Sequence, residues 1–167
     1  MRAALDEDLD EDAKALLHRF PRAGRVEWIG LRPRSRSAVE AVDVTEAIQG
    51  RGLTGDHRAN RPGSKRQVTL IQAEHLLAVA RLLGRDTVDP ALSRRNLVVA
   101  GINLLALADR EFLIGSVMLR GTGPCAPCSR MEEALGTGGF NAMRGHGGIT
   151  ALVVRGGIIR IGDPVTA

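Results

Sequence analysis

The sequence predicts a mainly β fold with inserted helices, in which mixed or antiparallel strands form a β-barrel. Three observations favour this class. Short runs rich in Val, Ile and Leu recur along the 167 residues. Gly-rich turns separate many of these runs, and stretches with helical periodicity are few. A doubly wound parallel sheet would instead require strands and helices that alternate regularly, and this chain lacks that pattern.

Residues 1–22 are predicted to form an acidic, amphipathic, helical extension, distinct from a barrel domain at 23–167. Apolar residues recur at helical spacing between acidic ones, so the pattern predicts a helix over residues 4–19 that ends before Pro21. Residues 1–12 hold six acidic residues and one arginine, which leaves a net charge of about +9 on the rest of the chain. The predicted barrel domain is therefore strongly basic.

The first predicted elements of the barrel domain are two extended segments, Arg25 to Leu31 and Ala38 to Val44, which form a hairpin around Pro33. Residues 50–66 are crowded with Gly, Arg, Asn and Pro and are predicted to be a long loop. The remaining predictions are a strand at 67–71, a helix at 72–83, and strands at 96–100, 112–120, 149–154 and 158–161.

Composition and charge narrow the classes of function. The longest apolar runs are too short to cross a bilayer, and the N-terminus lacks the features of a secretory signal, so we expect a cytoplasmic protein without a membrane partner. The basic charge could attract nucleic acid, but the chain has no tyrosine, one tryptophan and three phenylalanines to stack on bases. An anionic cofactor or small molecule is the better match.

The most informative segment contains the two cysteines of the chain, Cys125 and Cys128. It leaves a predicted strand and enters a short helix, for which Ser129 and Glu132 have capping-box spacing and Gly136 is the stop. Cys128 would then lie just outside a helix N-terminus, where the thiolate form is favoured, and Arg130 would add to that effect. Cys128 is the predicted reactive residue, with Cys125 as a resolving partner.

Several interpretations of this cysteine pair stay open. A thioredoxin-like redox pair would be expected early in the chain and before a long helix. A zinc site would need two further ligands, but His57, His75 and His146 lack ligand-like spacing to the cysteines and the sequence has no second cysteine pair. The pair could also be two small buried apolar residues. A single activated nucleophile or carrier cysteine requires nothing that the sequence lacks.

Two glycine-containing segments are candidates for the pocket around the sulfur. The segment 138–148 combines close-packing glycines with Asn141, Arg144 and His146, which could bind an oxyanion, although a plain turn between two strands explains it equally well. The segment 52–58 is either a ligand loop or a turn in which Asp56 bonds its own backbone. His75 lies inside a predicted helix and is interpreted as structural.

A set of landmarks in order along the chain resembles the MOSC family, named for the C-terminal domain of molybdenum cofactor sulfurases. The resemblance covers roughly residues 25–165. The landmarks are Gly52, Gly55, Asp56 and His57, then Arg66, Gln67 and Glu74, then Ser93 to Leu97, Ile114 and Gly115, Cys125 to Arg130, and Ile161 to Asp163.

This resemblance implies a β-barrel and a cysteine that carries sulfur as a persulfide or binds the metal of a molybdenum cofactor. Cys128 matches the family cysteine, and Arg94, Arg95 and Asn96 match a stretch expected at the pocket, where arginines would hold the cofactor phosphate. We therefore predict one electropositive pocket formed by Cys128, Arg94, Arg95, Asn96, Arg144 and His146, with Arg130 and Asn141 as further cofactor contacts.

The same resemblance implies particular partners. The sulfurases carry a separate pyridoxal-phosphate domain for which this chain has no room, so bound pyridoxal phosphate is not expected and any sulfur would come from a cysteine desulfurase. The alternatives are a molybdenum-dependent reductase of N-hydroxylated compounds, which would need an electron-transfer protein, and a non-catalytic module in which the cysteine pair holds zinc.

Overall fold

The computed structural model describes residues 9–167. Four α-helices lie in this range: α1 (Glu11–Leu16), α2 (Ala73–Leu82), α3 (Ser129–Leu135) and α4 (Gly139–Ala142). The strands are β1 (Gly24–Leu31), β2 (Glu40–Val42), β3 (Val44–Ile48), β4 (Gly52–Leu53), β5 (Val68–Gln72), β6 (Leu97–Ala100), β7 (Glu111–Ile114), β8 (Val117–Pro124), β9 (Ile149–Arg155), β10 (Gly157–Arg160) and β11 (Pro164–Thr166). Single 3-10 turns occupy His57–Asn60, Pro90–Ser93 and Leu104–Leu107.

Seven strands close into a barrel in the order β1, β11, β7, β8, β9, β5, β6 and back to β1. All neighbours in it are antiparallel except β5 and β6, which are joined by α2 and run parallel. Strand β2 extends the sheet beyond β1, and β10, β3 and β4 form a second small sheet. The predicted β-barrel of mixed strands is confirmed.

Apolar side chains form two buried groups on opposite sides of the barrel wall. The larger group fills the barrel, with Val26, Ile29 and Leu70 fully buried. The smaller group lies between the wall and helices α2 and α3, and it includes Ile71 from β5 and Met131 from α3. Because side chains alternate across a strand, adjacent residues of β5 serve the two groups. Helix α3, which follows the cysteines, is thereby fixed to the barrel.

Most predicted elements are present, and the differences occur at turns. The hairpin of β1 and β2, the helix α2 and the strands β5, β6, β9 and β10 lie where the sequence predicts them. The single strand predicted over 112–120 is wrong, because the chain turns at Gly115 (φ +56°) and separates β7 from β8. The loop predicted over 50–66 contains β4 and a 3-10 turn. Strand β11, which closes the barrel, lies outside every prediction.

The N-terminal helix is shorter than its apolar pattern suggests. The prediction covers residues 4–19, of which 4–8 lie outside the described residues, whereas α1 covers Glu11–Leu16. The Asp10 side chain accepts a hydrogen bond from the Ala13 backbone at 2.7 Å and so defines the helix start. No residue of α1 is buried. None of the helices in residues 9–167 has the length and apolar character that crossing a membrane requires.

Candidate functional site

The two cysteines lie in the connection between β8 and α3, as predicted. Strand β8 ends at Pro124, and Cys128 is the N-cap of α3 with extended backbone angles (φ −130°, ψ 175°). The predicted N-cap, Ser129, is instead the first helical residue. Cys128 is exposed and Cys125 is partly buried, and both thiols are free. Cys128 is therefore the more accessible of the two sulfur atoms.

The capping box predicted for α3 is absent. The Cys128 side chain makes no capping hydrogen bond, and Glu132 does not turn back toward the helix start. Its carboxylate accepts hydrogen bonds from the backbone of Gly138 at 2.8 Å and of Phe140 at 2.9 Å. The N–H groups of Phe140 and Gly138 lower the pKa of Glu132. Glu132 therefore ties α3 to the start of α4.

Arg95 binds the backbone of the connection between β8 and α3, which carries the two cysteines and which we call the cysteine connection. Its guanidinium donates to the carbonyl oxygens of Gly147 (Nε, 2.8 Å), Ser93 (Nη1, 2.9 Å) and Cys125 (Nη2, 3.1 Å). The Cys125 amide donates to the Gly148 carbonyl at 2.8 Å. A Cβ atom at position 147 would overlap the Cys125 carbonyl oxygen, so glycine is required there. Arg95 thus joins three separate segments around the cysteines.

Four neighbouring arginines, of which Arg95 contacts the cysteine connection, form a group that we call the arginine cluster: Arg32, Arg58, Arg94 and Arg95. Burial lowers the pKa of Arg32 to about 10, and the other three arginines lower it further, while Asp56 opposes the shift. Burial also lowers the pKa of Arg95, which Cys125 and Cys128 raise and the neighbouring arginines lower. Arg32 and Arg95 are therefore both influenced by Arg58 and Arg94, and Arg95 is also influenced by the two cysteines.

Asp56 orients this cluster from within the protein. Its carboxylate accepts hydrogen bonds from the backbone amides of Arg32 and Arg58, both at 3.0 Å, and from the Asn96 side chain at 2.8 Å. The bond to Arg58 is the turn-type contact that the sequence suggested for Asp56. Asn96, fully buried, also donates to the Gly30 carbonyl. The structure therefore places Asn96 in the supporting network and not on an open pocket surface.

Several guanidinium nitrogens of the cluster have no partner. Within residues 9–167, these buried atoms without a hydrogen bond include Arg32 Nε, Arg32 Nη2, Arg58 Nε and Arg94 Nη2. Arg32 Nε lies 3.6 Å from Asp56 Oδ2, which is an ion-pair distance but not a hydrogen bond. Buried donors without acceptors are costly, and four of them on positively charged groups fit an anion with several acceptor oxygens. The residues present therefore suit a phosphate-bearing cofactor.

A cleft of about 490 Å³ opens beside the cysteine connection. Its lining residues are Arg36, Arg94, Ser129, Arg130, Glu133 and Ala134. Arg94 belongs to both the cleft and the arginine cluster, and Ser129 directly follows Cys128. The cleft therefore shares Arg94 with the arginine cluster and is lined by the residue that follows the exposed cysteine.

The glycine-containing segment 138–148 contributes backbone rather than pocket side chains. Asn141 and Arg144 are exposed, and the His146 ring donates from Nδ1 to the Ala142 carbonyl oxygen at 2.9 Å. The His146 ring packs edge-on against His75 at 5.4 Å between centroids, and burial followed by the His146 charge lowers the pKa of His75. Along the described part of the chain, Asn141, Arg144 and His146 neither line the cleft nor hydrogen-bond a cysteine.

The histidines, cysteines and carboxylates of the described residues do not converge on a metal-binding group. No set of three or more such side chains that could hold a metal ion occurs within residues 9–167. A structural zinc site needs four such ligands. The geometry therefore does not support a zinc site that includes both cysteines. It does allow a metal that has one protein ligand and is otherwise held by a cofactor.

Residues 54–166 match the MOSC domain, a stretch that contains both cysteines and three of the four clustered arginines. The chain belongs to the MOSC domain family. Among curated proteins, no sequence matches it. The match begins after Arg32 and Arg36, so these two arginines reach the MOSC site from the preceding hairpin.

Solved structures share the fold of this MOSC chain. The YuaD protein of Bacillus subtilis is 19% identical to this chain, with a TM-score of 0.72. The matched region covers 86% of this chain and 94% of YuaD. YiiM of Geobacillus stearothermophilus is 16% identical, with a TM-score of 0.69, and the match covers 86% of this chain and 74% of that YiiM. YiiM of Escherichia coli is 21% identical, with a TM-score of 0.63, and the match covers 85% of this chain and 68% of that YiiM. At these identities the likeness establishes the barrel fold.

Proposed function

We propose that this MOSC protein binds an anionic molybdenum cofactor at the arginine cluster, with Cys128 as the protein ligand of the metal. The observation that carries the proposal is the set of partnerless guanidinium nitrogens on Arg32, Arg58 and Arg94, whose neighbour Arg95 binds the connection that carries the exposed Cys128 thiol. A phosphate group would supply the missing acceptors, since arginine binds phosphate through paired hydrogen bonds. A thiolate sulfur is a suitable ligand for a transition metal.

The protein residues have separate tasks in this proposal. Arg95 fixes the backbone of the cysteine connection, and Asp56 orients the backbone that carries Arg32 and Arg58. Cys128 presents its sulfur at the surface end of the site. When bound, the cofactor supplies two-electron chemistry at molybdenum. Reduction of N-hydroxylated compounds would be the catalytic form of this function, with electrons delivered by a separate electron-transfer protein.

A second function, sulfur carriage, is favoured by the accessibility of Cys128 and the nearby second thiol Cys125. The Cys128 thiolate would attack the outer sulfur of a persulfide on a cysteine desulfurase. That sulfur would move to Cys128 as the donor S–S bond breaks, and the donor would leave as a thiolate. The Cys125 thiolate could then attack Cys128 Sγ to form a disulfide and release hydrosulfide.

Metal analysis of protein purified from a host that makes the cofactor separates these functions. Cofactor binding predicts near-stoichiometric molybdenum in the wild type and in Cys125→Ser, with strong loss in Cys128→Ser. Sulfur carriage predicts little molybdenum and a mass increase of one sulfur on Cys128 after incubation with a desulfurase and cysteine. The exposed Arg160→Ala variant is the control for purification losses. Zinc bound through both cysteines would contradict both proposals.

A further inference from the structure

Two arginines of this chain have an unusual backbone conformation, and both line the same cleft. Arg36 (φ +68°) and Arg94 (φ +57°) are the non-glycine residues with positive φ in the described part of the chain. The left-handed region is unfavourable for residues with a Cβ atom, and such strain concentrates at binding and catalytic sites. Glycine would relieve the strain at either position, so the side chains of these two arginines require a separate explanation.

A hydrogen bond joins the Arg94 side chain to the loop that carries Arg36. Arg94 Nη1 donates to the Ser37 carbonyl at 3.4 Å, which links the turn after Pro90–Ser93 to the loop that carries Arg36. Ser37 Oγ in turn donates to the Arg34 carbonyl at 2.9 Å and closes that loop. The other buried nitrogen of this guanidinium, Arg94 Nη2, has no partner. The loop and the turn therefore hold two positive charges together over one cleft.

Helix α3 forms the opposite side of the cleft. It contributes Arg130 as a third cation and Ser129 as a hydroxyl group, and Glu133 as a carboxylate. Arg130 and Glu133 are three residues apart, yet they form no ion pair within residues 9–167. Three guanidiniums and one carboxylate leave the cleft positively charged, so its ligand should carry negative charge.

We propose that this cleft is a carboxylate-binding subsite that anchors a small-molecule substrate beside Cys128. The assignment deepens the proposed function, because it names the substrate class of the same site. Arginine forks match the two oxygens of a carboxylate, and Glu133 disfavours the higher charge of a phosphate. Ser129 lines the cleft and directly follows Cys128, so the anchoring subsite borders the segment that carries the reactive residue.

Arg36 allows the cleft to be tested separately from the cofactor site, because it lines the cleft and does not belong to the arginine cluster. The probe is succinate, titrated by calorimetry into wild type, Arg36→Ala and the exposed control Arg160→Ala, with molybdenum content measured for each. Arg36→Ala should weaken succinate binding about tenfold or more, the usual effect of losing a charged hydrogen bond, while the control binds normally. Molybdenum content should be unchanged in all three proteins.

Two further variants strengthen the test. Glu133→Gln removes the negative charge from the cleft and should tighten succinate binding. Arg36→Gly relieves the backbone strain and should keep or raise the melting temperature, yet it should lose succinate binding as Arg36→Ala does. A lost affinity therefore cannot be attributed to unfolding.

Three results would overturn the assignment. Wild-type succinate affinity in Arg36→Ala would show that the cleft is not the binding site. Loss of molybdenum from Arg36→Ala would assign the cleft to the cofactor instead of the substrate. Phosphate binding that depends on Arg36 and exceeds succinate binding would replace the carboxylate with a phosphate ligand. If molybdenum is absent from the wild type but succinate binding depends on Arg36, the cofactor proposal fails and the subsite stands.

Discussion

The reactivity of the site is set by how differently its two thiols are held. Cys125 has both backbone polar groups bonded, to Gly148 and to Arg95, and its side chain is partly buried. Cys128 is exposed at the start of α3. The same three-residue spacing thus produces one restrained sulfur and one accessible sulfur, which a search for cysteine pairs in sequence would treat alike.

We expect iodoacetamide to modify Cys128 several-fold faster than Cys125 at neutral pH, because alkylation requires access to the thiolate. Peptide mass spectrometry over a time course measures the two rates. Cys125→Ser should leave the rate at Cys128 nearly unchanged and serves as the matched control for Cys128→Ser. Equal rates in the wild type would contradict the assignment of Cys128 as the reactive residue.

Asp56 has the most demanding electrostatic position, since its fully buried side chain lies against the Arg32 guanidinium and hydrogen-bonds Asn96. Asp56→Asn preserves the shape of the side chain but leaves the buried Arg32 charge uncompensated. Breaking one side of a buried ion pair typically costs about 3 kcal/mol or more, so we expect a loss of that size in the free energy of unfolding. Urea unfolding measures it, with the exposed Asp86→Asn as control. A change below about 1 kcal/mol would show that Asp56 does not stabilise the cluster.

At the level of elements, one carboxylate joins helix α3 to the start of helix α4. Glu132 in α3 accepts from the backbone at the start of α4, and those bonds hold its pKa below the ordinary value of 4.5. A carboxyl whose pKa is lower in the folded state stabilises the fold above its unfolded pKa, and that contribution disappears as the pH falls through the folded pKa. The packing of α4 against α3 should therefore weaken as the pH falls below 4.5 and through the lowered pKa of Glu132.

Glu132→Gln tests this coupling, because glutamine keeps the shape and loses the charge. The variant should be less stable than wild type at pH 7, and the difference should shrink as the pH falls below 4.5. Urea midpoints at several pH values measure the effect. Glu133→Gln, one position along the same helix, is the matched control. A stability difference that is constant with pH would rule out the proposed role of the Glu132 charge.

The sequence predicted elements well where a periodic apolar pattern was long and bounded, as in α2 and β1. The predictions failed where a turn had no distinctive composition. Gly115 interrupts an otherwise continuous apolar run, and only the pairing of β7 with β8 shows that the chain reverses there. Ser129 and Glu132 matched a capping-box spacing, but the carboxylate is engaged by α4, a long-range contact that local spacing cannot predict.

Across the whole molecule, barrel closure depends on a strand that the sequence did not predict. The short strand β11 pairs with both β1 and β7, and its three residues carry too little pattern to be recognised in sequence. Arg95, the two cysteines and the MOSC resemblance were accessible to sequence reasoning. Arg32 and Arg36 were not, because they lie in an ordinary basic hairpin and only the tertiary fold brings them to Arg94 and, for Arg36, to helix α3. Asn141, Arg144 and His146 were chosen for their residue types, yet the first two side chains are exposed and the third packs against His75.

The most direct test of the account is anomalous diffraction at the molybdenum edge from crystals of protein purified with its cofactor. Cofactor binding through Cys128 predicts one molybdenum peak within bonding distance of Cys128 Sγ, with the phosphate of the cofactor against the arginine cluster. Crystals of Cys128→Ser, grown in the same way, should lack the peak. A molybdenum peak remote from Cys128, or one that persists unchanged in Cys128→Ser, would contradict the proposed function.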